Sequence, residues 1–323
     1  MSKAVVVHRL GGPEVLTVED REVGAPGRGQ LKLRNHSIGI NFVDVYQRTG
    51  AYKLDLPFVA GGEGAGEVIA VGAGVADFQI GDRVGYTGPV GAYAEERLLP
   101  ADRAVQLPDA ISYETAAASL LKGGTAQYLL FATYAVKRGE TILVHAAAGG
   151  VGSILTQWAS ALGVRVIATA GSDEKVALAR AAGADLAINY SNGDWVKAVR
   201  DATGGKGVDV VYDGVGKATF EGSIDCLRPR GMLVSYGSAS GAVSIPNLGI
   251  LASKGSLYVT RPTMGHYHAT TAEFRDSMNA VFDAIAKGTI KVAIGARWPL
   301  AQAAEAHRAL EARETTGSLL LLP

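Results

Sequence analysis

The segment Val144-His145-Ala146-Ala147-Ala148-Gly149-Gly150-Val151-Gly152 carries the clearest chemistry in this sequence. It follows an apolar, strand-like run and opens a helical pattern. Small residues at Ala147, Gly149 and Gly152 have the spacing of a dinucleotide-binding turn, with alanine in the first glycine position. Gly149 lets backbone approach a pyrophosphate, and Gly152 lets the helix pack closely on the strand. Gly150 and Val151 begin the helix, whose first N–H groups and positive dipole end suit phosphate oxygens. Glycine-rich strand–helix turns also occur without a ligand, so the motif is weak alone. Here further strand–helix alternations follow it, which is the context a dinucleotide site requires.

The second strand selects between the two nicotinamide dinucleotides. It ends Ile167-Ala168-Thr169-Ala170-Gly171-Ser172, with no carboxylate at its tip to take ribose hydroxyls. Asp173 and Glu174 read as first-turn helix residues behind an N-cap Ser172. The Lys175 ammonium and the Ser172 hydroxyl can hold a 2′-phosphate, which points to NADPH. The alternative for Lys175 is a solvated helix lysine. Tyr190 ends the third strand and can lie against the same phosphate or the ribose, or be a half-buried strand tyrosine. The fifth strand ends in Tyr236-Gly237-Ser238, at the carboxyl edge where ligands bind such sheets, and is expected beside the nicotinamide.

The elements that must position these residues form two textures. The first ~120 residues read as short strands at 4–8, 30–36, 66–71 and 83–86, separated by glycine-rich turns. From about residue 125, strands near 141–146, 165–170, 187–190, 208–213 and 231–236 alternate with helices near 151–162, 173–182, 194–203 and 218–227. That alternation predicts a parallel sheet covered on both faces. Beyond about 262 come helices near 271–287 and 300–312 and a strand at 318–322.

Composition agrees. The chain has 323 residues, enough for two domains, with 42 glycines, 11 prolines and 48% hydrophobic residues. Its single cysteine excludes an internal disulfide and a cysteine-rich zinc site. Thirty-one basic and 31 acidic residues give no net charge, so no nucleic-acid partner is expected. No apolar run is long enough to span a membrane and no signal-peptide pattern opens the chain, so a cytoplasmic setting is expected.

Several further segments, read with the glycine turn, resemble a known family. They are Asn41-Phe42-Val43-Asp44-Val45-Tyr46-Gln47-Arg48-Thr49-Gly50, Pro57-Phe58-Val59-Ala60-Gly61-Gly62-Glu63-Gly64-Ala65-Gly66 and Ala116-Ala117-Ala118-Ser119-Leu120-Leu121-Lys122-Gly123-Gly124-Thr125-Ala126. Tyr212-Asp213-Gly214-Val215-Gly216 and Gly255-Ser256-Leu257-Tyr258-Val259-Thr260-Arg261-Pro262 complete the set. From residue 3 to the C-terminus the chain resembles the zinc-free quinone oxidoreductase branch of the medium-chain dehydrogenases/reductases, which includes zeta-crystallin and the bacterial NADPH:quinone reductases. The resemblance implies an α/β protein with a GroES-like β-barrel catalytic domain and a Rossmann domain. The expected limits are 1–124 for the first catalytic part, 125–262 for the Rossmann domain and 263–323 for the return. It also implies a homodimer paired through the strand near Ser256 to Thr260.

Zinc-dependent relatives carry a cysteine where this chain has Asn41, and a histidine where Gly62 precedes Glu63. Neither residue here is a zinc ligand, so no metal is expected. His266 and His268 are the only neighbouring histidines, and read as a loop pair in solvent. Without a Lewis acid, hydride needs an electron-poor acceptor, which a quinone or a conjugated enone provides. The resemblance places Asn41, Tyr46 and Thr125 near nicotinamide or substrate, Tyr52 by a weaker match, and Arg313 near the cofactor phosphates. Asn41, Tyr46 and Tyr52 supply hydrogen-bond donors to a developing oxygen anion. Asp44 reads as support for its loop and Glu63 as a satisfied buried carboxylate. Lys122 is expected to meet the cofactor through its backbone, with a solvated side chain.

The function implied is transfer of hydride, or of single electrons, from NADPH to quinones. Reduction of activated alkenes such as 2-alkenals follows equally from a metal-free hydride site. A cofactor-binding crystallin-like or RNA-binding role with little catalysis is the alternative of another class.

Overall fold

A computed structural model describes residues 1–312 and 315–323. The chain divides into two compact units. The first comprises Met1–Leu121, Thr270–Ala286 and Val292–Pro323, and the second Lys122–Ala269 and Lys287–Lys291.

In the first unit the long strand Gln30–Ile40 is the spine of a seven-stranded sheet. It pairs antiparallel with Glu63–Val71, Glu96–Pro100 and the C-terminal strand Ser318–Leu322. A three-stranded sheet centred on Ser2–Val7 lies in the same unit. The residues facing inward, among them Val5, Val7, Leu31, Leu33, Ile38, Tyr86 and Leu99, form one buried core. Gly61 has φ +83°, and a Cβ there would sit 2.0 Å from the Tyr93 ring, so both backbone and packing require glycine.

The second unit is a six-stranded parallel sheet. Its order is Leu186–Asn189, Arg165–Ala170, Thr141–Val144, Val208–Asp213, Leu227–Ser235, Tyr258–Thr260. Numbered along the chain this is 3-2-1-4-5-6, the doubly wound dinucleotide-binding order. Strand order reverses between Thr141–Val144 and Val208–Asp213, which pair directly. Ile142, Leu143, Val144, Val210 and Val211 are fully buried, as strands covered on both faces must be. Each such side chain contributes about 1.5–3 kcal/mol relative to exposure.

Two expectations need correction. The second unit starts at Lys122 and extends to Ala269, beyond the limits 125 and 262 read from sequence. Tyr267 stacks on Tyr128 with centroids 4.5 Å apart, which holds residues after 262 to this unit. Residues 287–291 also belong here, because Lys291 N–H donates to Gln157 Oε1 at 2.8 Å and Lys291 C=O accepts from Gln157 Nε2 at 3.3 Å. His266 and His268 are not a solvent pair: His268 is 2% exposed, its ring edge-on to Tyr128. Gly123 and Gly124 stand just past the start of the second unit at Lys122. They lie buried inside the helix Tyr113–Tyr128.

Candidate active site

At the reversal of strand order the glycine turn takes the form its spacing predicts. Gly149 N–H donates to Ala146 C=O at 2.8 Å, and Gly149 is the N-cap of the helix Gly150–Ala161. The first-turn amides of Gly150, Val151 and Gly152 have no intrahelical acceptors, as at any helix N-terminus, and the N-cap has no side chain to supply one. A Cβ on Gly152 would lie 2.3 Å from Ala146 O, so only glycine lets helix and turn approach this closely. The Lys122 side chain is not solvated as expected. It is 6% exposed, and its Cδ lies 2.7 Å from where a Gly150 Cβ would be. Thr125 follows one turn later on the same helix and is 7% exposed.

The tip of the second strand gathers the three residues read as a 2′-phosphate site. Ser172 is the N-cap of the helix Asp173–Ala181, its Oγ accepting from Lys175 N–H at 3.3 Å. Tyr190 N–H donates to Ala170 C=O at 3.1 Å. The Tyr190 hydroxyl lies over Gly171, 2.8 Å from the position of a Cβ there. The Asp173 carboxylate is engaged by Asn189 Nδ2 at 2.8 Å and sits in the helix's first turn, as expected. At the other end of the platform, Tyr236 and Gly237 N–H groups donate to Asp213 C=O at 2.9 and 3.3 Å, and Ser238 C=O accepts from Gly241 N–H at 2.9 Å. This backbone, with the uncapped helix and the room left by three small residues, fits a dinucleotide. Arg313 lies outside the described residues.

The first unit carries the polar side chains. Asn41 is the N-cap of the helix Phe42–Thr49, and Asp44 Oδ2 accepts from Asn41 N–H at 2.8 Å. Asp44 therefore supports the turn. Asn41 is 5% exposed, and its Nδ2 donates to Glu63 Oε2 at 2.8 Å. Glu63 is fully buried, and its Oε1 accepts from Leu121 N–H at 2.7 Å, as a satisfied carboxylate should. Tyr46 and Tyr52 are brought together: their rings are 5.4 Å apart, and Tyr52 N–H donates to Tyr46 C=O at 3.0 Å. Tyr46 is half-buried and Tyr52 is 42% exposed. A Cβ at Gly62 would meet nothing within 4 Å, so packing does not dictate glycine at this position. Among the described residues no three His, Cys, Asp or Glu side chains cluster to hold a metal.

A buried chain behind this helix was missed by sequence reasoning. Arg48 Nη1 lies 3.4 Å from His307 Nδ1, His307 Nε2 lies 3.0 Å from Tyr93 Oη, and Tyr93 Oη donates to Asp44 Oδ2 at 2.9 Å. Because arginine only donates, Nδ1 accepts and Nε2 carries the proton. Burial, and secondly the Arg48 charge, push the His307 pKa down from 6.5 to about 3. The unfolded chain takes up this proton as pH falls below its ordinary value, whereas the folded chain does not. Stability therefore falls on acidification by up to about 1.4 kcal/mol per pH unit, between roughly 6.5 and 3. Urea midpoints at pH 7 and pH 5 should show this drop, and His307→Gln should shrink it. An equal drop in the variant assigns the acid sensitivity elsewhere.

Residues 27–109 match the alcohol dehydrogenase GroES-like domain family, and residues 150–283 match the zinc-binding dehydrogenase family. A quinone oxidoreductase of Pseudomonas aeruginosa is 52% identical over 325 residues, 100% of each chain. A 2-haloacrylate reductase of a Burkholderia species is 45% identical over 334 residues, covering 100% of this chain and 99% of that one. The crystal structure of Escherichia coli quinone oxidoreductase complexed with NADPH superposes with a TM-score of 0.97 at 48% identity, over 99% of this chain and 100% of that one.

Proposed function

The chain belongs to the quinone oxidoreductase branch of the medium-chain dehydrogenases/reductases, and from that premise we propose that it is an NADPH-dependent quinone oxidoreductase. The observation that carries the cofactor choice is the gathering of Ser172, Lys175 and Tyr190 at a strand tip that has no carboxylate. NADPH, when bound, supplies hydride from C4 of its nicotinamide, and a quinone accepting it with one solvent proton becomes the hydroquinone.

The chain's own residues bind and orient. The first-turn amides of Gly150, Val151 and Gly152 hold the pyrophosphate, with the Lys122 stem lining the turn. Tyr236, Gly237 and Ser238 flank the nicotinamide, and Thr125 steadies it. Asn41, Tyr46 and Tyr52 orient the acceptor and donate to the oxygen on which negative charge develops. Because Glu63 already takes a hydrogen of the Asn41 amide, it holds Asn41 in one orientation. Protons come from solvent, so no general base is required.

The test is NADPH consumption at 340 nm with a panel of quinones and enones. Turnover of quinones is expected. Enone turnover with every quinone inert would replace this reading by alkene reduction, which the similarity to a 2-haloacrylate reductase favours. NADPH binding with no turnover of any electrophile would leave a cofactor-binding role only.

The working form is a homodimer formed through the strand Tyr258–Thr260. That strand is the edge of its sheet, Tyr258 is 58% exposed and Leu248 71%. Unpaired apolar edges of this kind invite a second copy. Light scattering should return twice the monomer mass, and a monomer at micromolar concentration rejects the pairing. The described residues contain no helix long and apolar enough to cross a membrane, and the chain acts in the cytoplasm.

A further inference from the structure

Asp213 ends the strand Val208–Asp213 at the reversal of strand order, and nothing above gives its side chain a role. Its carboxylate is 1% exposed and receives four hydrogen bonds. Oδ1 accepts from the N–H groups of Val215 at 2.7 Å and Gly216 at 3.0 Å. Oδ2 accepts from the hydroxyls of Thr219 at 2.7 Å and Ser223 at 3.1 Å. The network then runs on to the glycine turn. Ser223 Oγ lies 3.0 Å from His145 Nε2, and His145 Nδ1 lies 2.7 Å from Thr169 Oγ1. Burial lowers the His145 pKa, opposed by the Asp213 charge.

The turn that Asp213 orders is the floor for the segment after Ser235. Ser240 N–H donates to Val215 C=O at 2.8 Å, and Lys217 N–H donates to Gly241 C=O at 3.1 Å. A Cβ on Gly237 would lie 2.4 Å from Gly214 O, so the two backbones touch. Gly237, Ser238, Ser240 and Gly241 offer no apolar side chains to pack. Their placement therefore depends on hydrogen bonds, to this turn and to the Arg261 guanidinium, which donates to Ser235 C=O at 2.8 Å and Gly237 C=O at 2.9 Å. A buried carboxylate is costly unless its acceptors are filled, which restricts the turn to the arrangement that fills them.

We infer that Asp213 is a positioning residue for the nicotinamide end of the cofactor: it fixes the 214–217 turn, and that turn fixes Tyr236, Gly237 and Ser238. The inference rests on the reading of those three residues as nicotinamide contacts. It makes the effect of Asp213 specific to one half of the dinucleotide.

The experiment compares two ligands by isothermal titration calorimetry on the full chain. NADPH spans the whole site, whereas adenosine 2′,5′-bisphosphate carries only the end met by Ser172, Lys175 and Tyr190. Asp213→Asn should weaken NADPH about 10-fold to 100-fold and leave the bisphosphate within about twofold, as loss of charge-assisted bonds implies. Ser223→Ala, which keeps three of the four bonds to the carboxylate, should weaken NADPH less and with the same selectivity. A folded Asp213→Asn that binds NADPH as wild type does, or that loses both ligands in equal proportion, overturns the inference. If Asp213→Asn does not fold, Ser223→Ala decides: selective loss of NADPH supports the inference, and no loss or equal loss overturns it. Wild-type protein that binds neither ligand overturns the cofactor reading itself, and the inference with it.

Discussion

Lys175→Ala should raise the Kd for NADPH about 10-fold to 100-fold and leave NADH within about twofold, since a hydrogen bond to a charged group is worth about 1.5–3 kcal/mol. The two cofactors differ only in the 2′-phosphate, so a residue that meets that group acts on one of them alone. Lys175 is half-buried in the first turn of the helix Asp173–Ala181, and its backbone N–H is held by the Ser172 hydroxyl. The same cap fixes where the side chain starts. The Tyr190 hydroxyl over Gly171 bounds the other side of the strand tip. The contribution is mainly coulombic, so the NADPH advantage should shrink as salt rises. Equal loss for both cofactors in Lys175→Ala would show that the lysine serves the helix and not the phosphate.

Gly152→Ala should impair both folding and cofactor binding, whereas Gly149→Ala should impair binding alone. The geometry separates them. At Gly152 a Cβ lies 2.3 Å from Ala146 O, 2.9 Å from Ala147 Cα and 3.0 Å from Ala146 C. All three are backbone atoms of the phosphate turn, so relief requires the turn itself to move. Overpacking of this kind costs about 1–3 kcal/mol, and the displaced turn no longer presents its amides to phosphate. At Gly149 the nearest atom is Ala146 O at 3.1 Å, a contact that a small shift relieves. What the Gly149 methyl occupies is the approach to the pyrophosphate. Thermal unfolding and NADPH titration on both variants check the contrast. A Gly152→Ala protein with wild-type Tm and affinity would show that the turn has more room than its backbone contacts allow.

The strand–helix alternation was legible because each signal is local. The strands Arg165–Ala170 and Val208–Asp213 end where apolar runs meet turn residues, and Ser172 announces the helix behind it. The helix Phe42–Thr49 was not read, although Asn41 and Asp44 stand at cap spacing and Gly50, at φ +84°, closes it. At eight residues it is too short for hydrophobic periodicity to mark it. The helix Tyr113–Tyr128 was hidden by its own glycine pair, which propensity alone marks as a break. Burial of Gly123 and Gly124 overrides that tendency. Asp213 lies in the motif Tyr212-Asp213-Gly214-Val215-Gly216, but its hydroxyl and amide partners are brought to it only by the fold.

Sequence alone specifies the phosphate turn, a second-strand tip without a carboxylate, and residues other than zinc ligands at Asn41 and Gly62. Each depends on residues a few positions apart, where covalent geometry leaves few arrangements. Only the tertiary structure decided the buried polar networks. Arg48 meets His307 across 259 positions, His145 meets Ser223 across 78, and Asn41 meets Glu63 across 22. A buried polar group must find a partner, but its chemistry does not specify which one. Sheet order and packing make that choice, and with it they select the carboxylates that hold the site.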